Sequence, residues 1–164
     1  MESKYLTNLK DDEVKFLKKS FLFFLLLFIL LFPVSVIGIE FNGNVCYYPL
    51  SSNSTLEISY THSVSLTRVI DTYRISKDGI YALQERWQEF LAGQPIDFDY
   101  RAGSFYVKNL NTFLGKSWEY WFIPVNNVTV KIDEKIVFVQ PKEEGIMKIE
   151  VKKVPIFLII SRRC

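Results

Sequence analysis

Tyr73–Trp87 reads YRISKDGIYALQERW, two short apolar alternations hinged on Lys77-Asp78-Gly79. Tyr73 and Ile75 lead into the hinge and Tyr81, Leu83 and Trp87 lead out of it, the period of two that sets successive side chains on opposite faces of a strand. Asp-Gly supplies the left-handed backbone that a tight hairpin turn demands. This one stretch therefore predicts an antiparallel hairpin, and its neighbours repeat the pattern. Upstream, Leu56, Ile58 and Tyr60 alternate with Glu57, Ser59 and Thr61. Downstream, Val128, Val130 and Ile132 run into Asp133-Glu134 and return as Ile136 to Val139; Met147, Ile149 and Val151 then alternate with Lys148, Glu150 and Lys152. Ile156 to Ile160 reads as a last strand. Leu83, Trp87, Phe90 and Leu91 also fit a helical face closed by Gly93 and Pro95, so a short helix competes with the strand there. The fold class expected is all-β, mainly an antiparallel sandwich or partly open barrel.

Ahead of this domain the composition changes. Ser20 to Ile39 reads SFLFFLLLFILLFPVSVIGI, uncharged throughout and of a length that spans roughly 30 Å of hydrocarbon as a helix. A single N-terminal transmembrane helix over 20–39 is expected, with Pro33 bending it near its far end. Lys4, Lys10, Lys15, Lys18 and Lys19 precede the run, and no Lys or Arg follows until Arg68. That asymmetry predicts a cytoplasmic segment over 1–19 and an extracytoplasmic domain over 40–164 in a single-pass cell-membrane protein. The competing expectation is a secretory signal whose apolar core is Phe21 to Phe32, cleaved after Gly38 and releasing a secreted domain.

At 164 residues, 49% of them hydrophobic, the chain has material for one domain and is too apolar for disorder. A formal charge of +2, spread with acids between the bases, excludes a nucleic-acid partner on the charge-distribution test. Cys46 and Cys164 both fall in the exported part, where a bridge is chemically permitted. A disulfide joining them closes nearly the whole domain, worth about 4 to 5 kcal/mol by chain entropy; two free thiols are the alternative.

The single histidine is His62. Period two places it on the face of Leu56, Ile58 and Tyr60; Asp71 shares a face with Val69, Tyr73 and Ile75, and Glu85 with Tyr81, Leu83 and Trp87. Buried charges are costly unless paired, so His62, Asp71 and Glu85 are expected to form a polar cluster, either a structural network or a small-ligand or metal site. Ser63 points away from His62 on a strand, which removes the pair as nucleophile and base. No phosphate loop, nucleophile elbow or cofactor motif is present, so the expectation is a protein that is not an enzyme and has no cofactor. Trp118, Tyr120, Trp121 and Phe122 are dense enough for a recognition surface, although alternation turns half of them into the core.

Tyr60-Thr61-His62-Ser63-Val64, then Asp71 and Tyr73, then Glu89-Phe90-Leu91-Ala92-Gly93-Gln94-Pro95, resemble the prokaryotic domain-of-unknown-function family 1850. His62, Ser63, Asp71, Gly93 and Pro95 fall on its matching positions, over roughly Asn44 to Val139. The resemblance implies a small exported or anchored protein encoded beside TRAP-type solute transporters that use TAXI-like binding proteins. The partners it implies are a transporter subunit or the solute-binding protein.

Overall fold

The computed structural model describes the backbone of residues 2–89 and 97–164, and side chains from Phe16 onward. Helix α1 (Glu2–Leu31) leads straight into eleven strands: β1 (Pro33–Phe41), β2 (Asn44–Pro49), β3 (Ser54–Thr61), β4 (Arg68–Ser76), β5 (Gly79–Trp87), β6 (Tyr100–Ala102), β7 (Phe105–Gly115), β8 (Ser117–Phe122), β9 (Thr129–Ile132), β10 (Lys135–Val139) and β11 (Gly145–Pro155). A short helix, α2 (Ile156–Ser161), follows. The strands form two antiparallel sheets, β2-β1-β11-β8 and β10-β9-β3-β4-β5-β7-β6. One core joins them: Ile37, Ile39, Met147 and Ile149 from the smaller sheet pack with Leu56, Ile58, Ile75, Val130 and Ile132 from the larger. Two sheets burying their apolar faces against each other make a sandwich.

The hairpins expected at Lys77-Asp78-Gly79 and Asp133-Glu134 are present as β4–β5 and β9–β10. Asp133 and Glu134 both take positive φ, 48° and 69°, the pair that a two-residue hairpin of matching twist requires. Asp133 is further fixed by its Oδ1, which accepts the Thr55 N–H at 2.9 Å. At Gly79 the φ is +149°, and a Cβ there would collide with the Gly115 carbonyl and come within 2.6 Å of the Phe113 ring. Gly79→Ala is therefore expected to cost about 2–4 kcal/mol, read by urea unfolding. Gly103→Ala, at φ +62° with open space around it, is expected to cost only about 1 kcal/mol; equal losses at both sites would show that the close approach at Gly79 is immaterial.

Three expectations are corrected. The apolar run 20–39 is not one helix: α1 ends at Leu31, and Pro33 opens β1, which lies between β2 and β11. Proline lacks the donor to continue a helix and fits the start of a strand. The Val/Ile run that follows is buried on both faces. Ile37 and Ile39 enter the main core, while Val36 joins Tyr47, Val154 and Ile159 in a second, smaller cluster under α2. Next, Ile156–Ile160 is helical rather than extended, because Pro155, with φ −59° and ψ 146°, breaks β11 and starts the turn. Finally, the helix competing over Leu83–Leu91 yields to β5 as far as Trp87; Phe90, Leu91, Gly93 and Pro95 lie outside the described residues. Among the described residues no helix is long and apolar enough to cross a membrane.

The disulfide is formed between Cys46 and Cys164, with Cα atoms 5.0 Å apart. It pins the chain end beside β2, where the Tyr47 N–H donates to the Arg162 carbonyl at 2.7 Å and the Cys164 N–H to the Tyr47 carbonyl at 3.2 Å.

Candidate functional site

Asp71 stands on the inner face of β4, directly opposite Ile58 of β3 and Glu85 of β5. It is a buried carboxylate in an otherwise apolar layer, 5% exposed. Tyr120 reaches across from the smaller sheet and donates its hydroxyl to Asp71 Oδ2 at 2.8 Å. Tyr60 lies beside the same carboxyl group and interacts with it, and the Tyr73 hydroxyl bonds that of Tyr120. Three phenols from three strands thus converge on one carboxyl group, which ties the two sheets together at their interface.

Burial pushes Asp71 up to about 7, assisted by repulsion from Glu85 and opposed by the phenol hydroxyls of Tyr120 and Tyr60. Desolvation outweighs the phenols because hydroxyl donors only partly replace water around a charge. Glu85 is raised in the same direction by burial. Tyr60, Tyr73 and Tyr120 are all raised, by burial first and then by the neighbouring carboxylate, so each remains a protonated donor. Tyr60 and Tyr120 also pack edge-on, and Tyr120 stacks on Phe122 with ring centres 5.1 Å apart.

Glu85 reaches this face through a bulge. Thr72 pairs with Gln84 but Tyr73 with Ala82, which leaves Leu83 as the extra residue. The expectation that Glu85 shares a face with Tyr81 is corrected accordingly: Tyr81 pairs with Arg74, whose guanidinium lies over its ring at 4.6 Å, on the opposite side of the sheet. An inserted residue reverses alternation beyond it.

His62 does not join the two acids through a hydrogen bond. β3 stops at Thr61, and His62 opens a turn in which the Ser65 N–H donates to its Nδ1 at 3.3 Å and Ser65 Oγ lies 3.2 Å from the same nitrogen. Ser65 Oγ also lies 2.7 Å from Thr67 Oγ1, and Leu66 takes a positive φ of 56°. Ser63 is exposed in that turn. Among the described residues no group of three or more His, Cys, Asp or Glu side chains is arranged to hold a metal ion. The sequence pattern thus located Asp71 and Glu85 and missed the phenols that complete the site. The signal for two of them was present, since Tyr60 and Tyr73 alternate in phase with Ile58 and Asp71. Tyr120 was not accessible in this way, because its place depends on β8 pairing with β11 across the chain.

The family model for a domain of unknown function, DUF1850, matches residues 56–138. The chain belongs to the DUF1850 family. The matched segment runs from β3 into β10 and contains Asp71, Glu85, Tyr60, Tyr73 and Tyr120, so the whole of this carboxyl–phenol cluster lies inside the DUF1850 region. α1, β1, β2 and β11 lie outside it. Comparison with curated proteins and with solved structures finds no match.

On the outer face of the same sheet, Glu57 accepts from Arg86 at 3.0 Å and lies 3.5 Å from Lys131. These partly exposed pairs cross the strands and add at most about 1 kcal/mol each. They complete a sheet that is charged outside and, among the described residues, carries one buried acid within, Asp71.

Proposed function

We propose that this DUF1850 protein is a membrane-anchored, non-enzymatic accessory domain that contacts a TRAP-type solute transporter, through its membrane subunit or its solute-binding protein, on the extracytoplasmic side. The observation carrying the membrane part is the surface of α1. Phe21, Leu22, Phe23 and Phe24 are successive residues, hence point to every side of the helix, and are 70%, 64%, 62% and 63% exposed. Among the described residues, none covers them. An uninterrupted apolar surface of that kind is far larger than water-soluble proteins expose and belongs in lipid. The uncharged part of α1, Ser20 to Leu31, is 12 residues, roughly 18 Å of helix, shorter than the hydrocarbon layer. Lys18 and Lys19 extend that reach by running their stems along the helix to the cytoplasmic headgroups.

The lysines of α1 that precede its apolar part, Lys4 to Lys19, support a cytoplasmic amino terminus, and the Cys46–Cys164 bridge supports an oxidising compartment for the sandwich. Retention of α1 is supported by what cleavage after Gly38 would remove. Val36 and Ile37, both fully buried, would go with it, and β11 would lose its partner from Pro33 to Gly38. The partner assignment is supported by family membership and the neighbourhood that the resemblance implies. A non-enzymatic role is supported by His62, whose Nδ1 is committed to its own turn.

The mature protein extracted from membranes is expected to have the intact mass of the whole chain, near 19.3 kDa, and to bring a TRAP-type membrane subunit or binding protein through mild-detergent purification. A mature chain beginning at Ile39 overturns the anchor. Full-length protein that is recovered from native membranes with neither partner overturns the accessory role and leaves the anchor standing.

A further inference from the structure

Helix α2 is apolar on both of its long faces. Ile159 is buried and Leu158 half-buried against Val36, Tyr47 and Val154 on the outer face of the smaller sheet. Phe157 and Ile160 point away from that contact and are 41% and 69% exposed. The helix begins where α1 ends: the Ile156 N–H donates to the Phe32 carbonyl at 3.2 Å. Phe32 itself is exposed, so the apolar surface of α1 continues onto α2. Arg162 and Arg163 follow at once and are exposed, as is Lys153 at the end of β11. Lys152 is nearby, paired with Glu150 at 2.8 Å and lying 5.6 Å from the centre of the Tyr47 ring. Glu150 and Glu40 are the acids facing this group, so the balance is basic. The tail is held in place by the backbone bonds of Tyr47 and by the disulfide.

We infer that α2 and Arg162-Arg163 form a second lipid contact: Phe157 and Ile160 enter the headgroup–acyl boundary beside the mouth of α1, and the arginines meet anionic phospholipid headgroups. This inference rests on α1 being embedded. Apolar side chains flanked at once by Arg are the composition of segments that lie in the interface plane, and basic groups at an anionic surface add to the attraction. The contact fixes which side of the sandwich faces the bilayer, which α1 alone does not do.

The test uses the full chain in nanodiscs of phosphatidylglycerol and phosphatidylcholine, with isotope-labelled Ile, Leu and Val methyls and a spin label on the acyl chain near the headgroup. Leu66, 63% exposed in the turn after β3, supplies the comparison for exposure alone. Ile160 methyl signals are expected to broaden about threefold or more beyond those of Leu66. Replacing phosphatidylglycerol by phosphatidylcholine, or combining Arg162→Glu with Arg163→Glu, is expected to remove most of that excess. Broadening of Leu22 and Leu26 without excess at Ile160 overturns the second contact and leaves the anchor intact. If neither α1 nor α2 methyls respond, both fall. A change at Ile160 that follows the number of chains per nanodisc, rather than the labelled lipid, assigns the face to a second copy and overturns the lipid contact.

Discussion

Cys46→Ser combined with Cys164→Ser is expected to lower the unfolding free energy of the sandwich by about 3–5 kcal/mol. The bridged residues are 118 apart in sequence, so the bond forbids the unfolded chain almost every conformation in which its two ends of the β domain separate. The chain-entropy relation gives about 5 kcal/mol for a loop of that size. Domains of this class are stable by only about 5–15 kcal/mol in total, so the loss is a large share. Two effects combine in it. Besides releasing the denatured chain, the substitution frees the tail beside β2 and with it α2, whose cluster of Val36, Tyr47, Val154 and Ile159 is too small to hold six helical residues unaided. Urea unfolding of the oxidised parent and the double variant gives the magnitude, and amide exchange separates the parts. Amides of α2 should exchange faster in the variant than those of β3 and β4. A loss under 1 kcal/mol would mean that the unfolded chain is already compact enough for the bridge to restrict little.

The second large effect is a pH dependence centred on Asp71. Its folded value of about 7 lies above the ordinary 3.8, so between those two values the folded chain holds a proton that the unfolded chain has released. Stability from this group is complete below about pH 4 and is lost as pH rises through about 7, at up to 1.4 kcal/mol per pH unit and on the order of 4 kcal/mol in all. Glu85, raised in the same direction, adds to the slope. Asp71→Asn keeps the shape of the side chain and removes the titration. Relative to the parent, the variant should gain stability from about pH 4 to pH 7 and level off above that, the two curves converging near pH 4. Asp71→Leu should be less stable than Asp71→Asn at every pH by about 2–4 kcal/mol, because Tyr120 loses the acceptor that satisfies it within the core. Chemical denaturation of all three proteins over that range is the measurement, and parallel curves for parent and Asp71→Asn would show that the carboxyl titrates in the ordinary range.

The strands that were legible in the sequence are those with one wet face. β3, β4, β9 and the first half of β11 alternate cleanly because half their side chains meet water or cross-strand charge. β1 was unreadable for the opposite reason: with Val36 beneath α2 and Ile37 in the main core, only Ser35 and Glu40 break its apolar run, too few to mark a period, and the run merges with the apolar helix before it. α2 failed similarly, since five consecutive apolar residues carry no period, and the informative residues were the flanking Pro155 and Arg162. In the site, the alternation put Asp71 and Glu85 among apolar neighbours on adjacent strands, and the two stand opposite each other across β4 and β5. Their relation to Tyr81 was not legible, because a bulge such as that at Leu83 depends on the neighbouring strand. His62 was assigned to a strand that ends one residue earlier, where Ser65 and Thr67 provide local hydrogen bonds that compete with the ladder.

β1 follows α1 with only Phe32 between them, and it lies inside a sheet rather than at its edge. On the membrane reading, the joint therefore has no slack. A flexible tether of even ten residues lets a domain wander through a radius of roughly 15–20 Å; here the height and tilt of the sandwich are set by the helix that carries it. Any load drawn along α1 acts lengthwise on a strand bonded on both sides, so that many hydrogen bonds must shear at once instead of unzipping singly. A partner embedded in the same bilayer would meet this domain always at one elevation, and a rotation or tilt of the helix would arrive at the far turns as a movement of the whole body.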